Sequence, residues 1–280
     1  MQHSNAQKAT NLPEGRFPLW LFNTLKKSFL LCCFILCTQA VKAQITISWT
    51  GNVNSDWSNP SNWIPNIVPS GTSYRAFIQN TFNDPVIDES VLLNNIIISD
   101  GARLVVDTDG TLTCTGGGGA AVIAVFINQG SVENYGIIEI GSGSLNVQYG
   151  LYSDHEFYNY PGSYLEIGSS KGGGIFSVGS FINEGGEIAI GNQGDIEGVG
   201  IIVEGGQFTN RAFTLGVVQD GIINIDNTDD DAVCVNSGGT FSQGNDSARL
   251  FIGANSTIPG NGIKVFGFFF ARGTQCSPLN

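Results

Sequence analysis

Positive charge is what this 280-residue chain most lacks: 12 Lys and Arg stand against 24 Asp and Glu, and only 13% of residues are charged. Residues 1–43 hold five of the basic residues and one acidic one, which leaves 7 against 23 and a net charge of −16 for the remainder. Nucleic acid and anionic lipid both demand clusters of Lys and Arg, so a surface of this sign repels them. Beyond residue 43 there are two lysines, Lys171 and Lys264, and one histidine, His155. A polysaccharide lyase, which needs cations to neutralise a uronate, is disfavoured on that ground, and so is a histidine-based metal site or relay. His155 stands in the polar turn Ser153-Asp154-His155-Glu156, where solvent exposure is expected. The tetraglycine at 116–119 is followed by no Lys-Ser/Thr, which makes it a flexible corner and not a phosphate loop.

Cysteine is scarce as well. Three of the six fall before residue 44, leaving Cys114, Cys234 and Cys276, an odd and widely spaced set that is no disulfide framework. Cys114 alternates with Leu112, which predicts a buried thiol acting as a small hydrophobe. A membrane span is missing too: the apolar run at 29–37 is far shorter than the ~20 residues required. Lys26 and Lys27 precede that run, and Val41-Lys42-Ala43 puts small residues at −3 and −1. Residues 1–43 therefore read as a secretory signal peptide cleaved before Gln44. Residues 1–24 are polar and long for an n-region, which points to an over-extended start, with translation beginning near Leu25. Leu36 is too large for the residue preceding a lipoprotein cysteine at Cys37. The destination implied is the extracellular space or outer cell surface.

What the chain has in abundance is glycine, 38 residues of it, set in a repeat. Apolar–any–apolar–Gly ends units at 138–141, 165–168, 188–191, 213–216 and 250–253. Phe followed two residues later by Asn or Gln starts them at Phe126, Phe157, Phe181, Phe208 and Phe241. Spacings in the twenties and thirties mean a solenoid, one supersecondary unit stacked on copies of itself. Ile138-Glu139-Ile140 and Leu165-Glu166-Ile167 alternate with period 2, and glycines every few residues suit tight corners between short strands. The fold class expected is all-β: a single-stranded right-handed parallel β-helix of about seven rungs, since the strict hexapeptide period of left-handed ones is missing. Phe157, Phe181, Phe208 and Phe241 should stack inside. Asn134, Asn159, Asn183 and Asn210 should mark one corner, with amides bonded from rung to rung.

Every tryptophan after residue 43 falls within Trp49-Thr50-Gly51, Ser55-Asp56-Trp57 and Asn62-Trp63, ahead of the turn at Val68-Pro69. Big aromatics more often fill cores than stack on sugars, so residues 44–95 read as an N-terminal cap with the first strands, and 96–280 as the repeats. This opening, with the strand at 75–78, Asn83-Asp84-Pro85-Val86-Ile87 and the run from Ile96 to Leu112, resembles that of many large bacterial surface proteins built on right-handed parallel β-helices. The resemblance implies a secreted or surface-attached scaffold, often adhesin-like, with no shared catalytic residues to carry over. Those proteins commonly end in an anchoring domain, whereas this sequence stops at Leu279-Asn280.

From Phe208 to Phe241 the interval lengthens, and the excess is expected to include Asp226, Asp229, Asp230 and Asp231. Four carboxylates in six residues suit a hard cation such as Ca²⁺, although the Gly and downstream Glu of an EF-hand loop are missing. A solvated acidic turn is the plainer reading. Asn227-Thr228-Asp229, Asp230-Asp231 and 233–238 are similar to pieces of polygalacturonase active sites, which sit on β-helices. In that family the pieces come from different rungs and a histidine motif accompanies them. Here they are adjacent, the histidine motif is missing, and 233–243 matches 201–210 as a repeat. The function expected is thus a non-catalytic scaffold contacting extracellular glycans or surface proteins, with no catalytic residues and no cofactor beyond that Ca²⁺ option. The alternative is a glycan-active hydrolase or lyase using Asp229–Asp231. At the other end, 263–270 is strongly apolar with only ten residues after it, which predicts an open last rung, end-on self-association, or a chain that belongs to a longer design.

Overall fold

The computed structural model describes residues 44–116, 123–141, 147–214, 218–244 and 247–271. Residues 1–43, expected above to be a signal peptide, most of the tetraglycine, Gly216, Cys276 and the tail 272–280 lie outside the described residues.

Short alternating strands separated by glycine corners coil into an all-β parallel solenoid of about eight turns. Each full turn contributes three strands. The first face stacks Ile45–Trp49, Gly71–Ile78, the end of Ser90–Ile98, Ala124–Asn128, Tyr149–Ser153, Gly173–Ser177, Val199–Val203, Val233–Val235 and Ile263–Val265. The second runs through Val86–Ile87, Arg103–Val106, Ser131–Asn134, Glu156–Asn159, Ser180–Glu184, Gln207–Arg211, Thr240–Gln243 and Phe268–Ala271. The third begins with the first half of Ser90–Ile98 and continues through Thr111–Cys114, Ile137–Ile140, Tyr164–Ile167, Glu187–Ile190, Ile222–Ile225 and Arg249–Ile252. The strands of the N-terminal segment also join the first face, with one shift of register between Gly71 and Arg75.

Parallel register lines identical positions up one above another, so the interior is a set of columns. Phe157, Phe181, Phe208, Phe241 and Phe269 stack with ring centroids 4.6, 4.5, 5.2 and 5.4 Å apart and planes within 9° of parallel. Those separations sit near the ~4.8 Å between paired strands, so the rings follow the backbone without tilting. Phe126 does not belong to this column. It pairs with Ile96 and Leu151 on the first face, and Val132 takes the place beneath Phe157. Phe126-Ile127-Asn128 imitates the Phe-x-Asn signature because Asn128 also ends a strand at a corner, one face earlier.

Beside the phenylalanines runs the amide ladder. Asn134 Nδ2 donates to Asn159 Oδ1 at 2.7 Å, Asn159 to Asn183 and Asn183 to Asn210 at 2.8 Å, and Asn210 to Gln243 Oε1 at 3.1 Å. The four asparagines are fully buried, and each also donates to a backbone carbonyl at the corner, such as Gly186 O from Asn183. The ladder thus supplies the polar groups that a turning backbone would otherwise leave unpaired inside.

The interval that lengthens after Phe208 does so elsewhere than expected. Residues 212–221 join the second face to the third, where the preceding turn uses only 185–186. Phe213 pairs antiparallel with Gln219 inside this insertion, so the repeat assigned to 213–216 belongs instead to Ile223-Asn224-Ile225-Asp226. The acidic stretch is an ordinary connection between third and first faces, as 191–198 is one turn below. Gly191 shows why that corner is tight: at φ 75° it would, with a Cβ, meet Asp226 O at 1.9 Å.

At the first turn Trp49, Trp57 and Trp63 are fully buried and pack edge-to-face, Trp63 lying 4.9 and 4.6 Å from the other two. The Trp49 and Trp63 indole N–H groups donate to Asn83 O and Trp57 O, both at 2.8 Å. Their faces are core, which leaves no platform for a sugar. Cys114 is buried beside Leu112 and Cys234 is half-buried, both as free thiols.

Phe181 sits between two parallel rings with no exposure, so Phe181→Asp is expected to yield no folded protein by far-UV circular dichroism, an unpaired buried charge costing several kcal/mol. Phe181→Leu should fold with a small loss. Asn183→Ala strands an Asn159 donor and the Gly186 and Ile222 carbonyls together, and should cost about 2–4 kcal/mol in urea titrations.

Candidate functional site

The acidic connection is the first place to examine. Asp226 is 1% exposed and Asp231 2%, and each is held from the next turn. Asp226 accepts from Asn255 N at 3.0 Å and Asn255 Nδ2 at 3.1 Å. Asp231 accepts from Asn261 N and Nδ2, both at 2.8 Å, and Lys264 Nζ lies 3.2 Å away. Burial alone would raise the Asp231 pKa, but these bonds and the Lys264 charge outweigh it and hold the carboxyl below its ordinary value. Asp229 and Asp230 are exposed. The four carboxylates therefore divide into two buried ties between turns and two that face solvent. Among the described residues no group of three or more His, Cys, Asp or Glu is placed to hold a metal ion. Asn227, at φ 46°, is the only described non-glycine residue with positive φ, and it donates to Gly191 O at 2.8 Å.

The third face carries a carboxylate pair that the sequence reading passed over. Glu139 and Glu166 are register partners on adjacent turns, pointing outward from Ile138/Ile140 and Leu165/Ile167. Outward does not mean exposed: Glu166 is 5% accessible, covered by Tyr164 and Gln193. Its Oε2 accepts from Tyr164 Oη at 3.3 Å and Gln193 Nε2 at 3.1 Å, while Oε1 has no partner. Burial, with a smaller contribution from the Glu139 charge, pushes its pKa up. Glu139 accepts from Thr113 Oγ1 at 2.9 Å. One turn on, the position is Ala189, so the pair is not extended.

The outer side of the second face is organised into three rows by the same register. Arg103, Ser131, Glu156, Ser180, Gln207, Thr240 and Phe268 form one row. Val105, Glu133, Tyr158, Ile182, Thr209, Ser242 and Phe270 form the next. Just past the strand ends, Tyr135 stacks on Tyr160 at 4.3 Å with planes 3° apart, and further on Arg211 Nε lies 3.0 Å from Glu184 Oε1. Arg103 grips Glu133 through two nitrogens, at 2.9 and 2.7 Å, and the resulting hydrogen bond, more than burial, sets the Glu133 pKa low. Toward the C-terminal end the rows shrink to Thr209, Ser242 and Gly244 before Phe270, leaving a trough of about 650 Å³.

Residues 48–149 match a family model described as a domain of unknown function (DUF8693). No curated protein and no solved structure matches the chain. The matched stretch takes in the tryptophan cluster and the Arg103–Glu133 pair. It stops short of the acidic connection, Glu166 and the trough.

His155 is half-exposed between Asp154 at 2.8 Å and Asp100 at 3.5 Å, and the Asp154 hydrogen bond raises its pKa. Exposure of this histidine was legible from its polar turn.

Because burial raises the folded-state pKa of Glu166, its contribution to stability is complete below the ordinary carboxylate range and is lost as pH climbs through the raised value. Glu166→Gln should therefore melt at a higher temperature than the native chain at pH 7.5, and the advantage should vanish near pH 4. Parallel melting curves at the two pH values check this; a gap that does not change with pH would show that Glu166 ionises freely.

Proposed function

We propose that this chain is a non-catalytic scaffold, secreted or held at the cell surface, whose side faces contact glycans or other proteins in an adhesin-like way. The observation that carries the reading is the outer second face, where parallel register turns single residues into straight rows of aromatic, charged and hydroxyl side chains. Such a surface suits an extended ligand lying along the axis. The signal-peptide pattern read in residues 1–43 supports export, and the net charge of −16 supports a soluble extracellular surface. In this reading the tryptophan cluster serves as the N-terminal cap of the coil.

The rival reading, a glycan-active enzyme with Asp229–Asp231 as its acids, requires carboxylates converging across a substrate. Asp231 is committed to Asn261 and Lys264, whereas Asp229 and Asp230 face water, which favours the scaffold. Reducing-end release measured over a panel of acidic and neutral polysaccharides is expected to stay at background. Release that disappears in Asp230→Asn would establish the enzyme instead.

The scaffold also offers an end for association. Ile263, Val265, Phe266, Phe268 and Phe270 are between 37% and 65% exposed on the last described turn. Such edges pair readily. Sedimentation of the 44–280 chain should show concentration-dependent dimers, and a clean monomer at high micromolar concentration would dismiss the idea.

A further inference from the structure

Resting on the scaffold reading, we propose that the trough at the C-terminal end of the second face is a subsite for one pyranose ring of a neutral, linear glycan. The cavity exists because of a step in side-chain size. Along the central row Ile182 and Phe270 stand at either end of Thr209 and Ser242, and Gly244 continues the outer row from Arg211 with no side chain at all. Its volume of about 650 Å³ falls inside the usual ligand range of roughly 300–1,000 Å³.

The lining has the two characters a sugar requires. Phe270 is 56% exposed and forms an apolar wall, with Phe268 parallel to it at 6.2 Å. A pyranose ring presents C–H bonds on one face, and an aromatic wall accepts them. Beside that wall lie the partly exposed Thr209 and Ser242 hydroxyls and the exposed Gln207 amide, none bonded to another described side chain. Together they can both donate to and accept from vicinal sugar hydroxyls.

Charge decides the class of sugar. The cation at the trough, Arg211, is already paired with Glu184 at 3.0 Å, and the chain beyond residue 43 carries −16. A uronate would have to compete with Glu184 for that cation and enter a repelling field, whereas a neutral ring does neither. The row from Phe270 back to Tyr158 spans four strand steps, about 19 Å, which gives a linear glycan a straight path with a second aromatic at its far end.

The test is isothermal titration of the purified chain with neutral hexasaccharides (cello-, xylo-, manno- and β-1,3-gluco-) and with hexagalacturonate as the acidic arm. At least one neutral hexasaccharide should bind. Phe270→Ala should weaken it tenfold or more, Ser242→Tyr should abolish it by filling the trough, and Phe82→Ala, at a fully exposed aromatic outside the second face, should leave it within a factor of two. Melting curves on each variant confirm folding, and Ser242→Tyr keeps the test alive if Phe270→Ala fails to fold. Binding that survives both trough variants places the glycan elsewhere and overturns the subsite while sparing the scaffold reading. Preference for hexagalacturonate, or no binding at all, overturns the subsite too. Release of reducing ends from a bound hexasaccharide would overturn the non-catalytic reading and leave the subsite standing.

Discussion

Everything in this solenoid depends on parallel strands holding one register, and the buried amide ladder is what enforces it. A one-residue slip of any of the four second-face strands that carry a ladder Asn would turn that Asn outward and a neighbour from the outer face inward. Asn159, for example, would be replaced in the interior by Tyr158 or Tyr160, leaving the Asn134 donor and Asn183 acceptor without partners. Stacked phenylalanines tolerate small shifts because dispersion is weakly directional. Amides do not, because each donor must find its acceptor within about 3 Å. The aromatic column supplies burial, and the ladder beside it supplies specificity.

The same register distributes chemistry over the outside. Positions that are neighbours across turns are separated by 19 to 35 residues in the chain, so adjacent side chains on a face owe nothing to local sequence. That is why the Arg103–Glu133 pair, the Glu139–Glu166 pair and the trough all lie between turns. It is also why the acidic run at 226–231, conspicuous in sequence, is divided in space: Asp226 and Asp231 reach up to different asparagines, Asn255 and Asn261.

The interior was therefore easy to read and the exterior was not. Phe157, Phe181, Phe208 and Phe241, with their asparagines, announce themselves because an inward column needs the same residue type each time. The signal misled where the same three-residue pattern occurs at two corners, as with Phe126, and where an insertion shifted the count, as with 213–216. Glu166 gave no warning, since its burial comes from Gln193, 27 residues away, folding over it. Ser242 and Gly244 gave none either: a cavity is made by what small residues fail to fill, which shows only once the turns above and below are aligned.

The insertion at 212–221 has a practical meaning of its own. Eight more residues than in the previous turn leave the chain between Arg211 and Ile222, yet Asn210 still sits over Asn183 and Ile223 over Ile188. Loop closure grows costlier only slowly with length, by about 0.6 kcal/mol per doubling. The coil thus has a seam where foreign sequence can be carried without the stacked columns registering its presence. This corner is where peptides could be grafted for display, at a set height along the stacked turns.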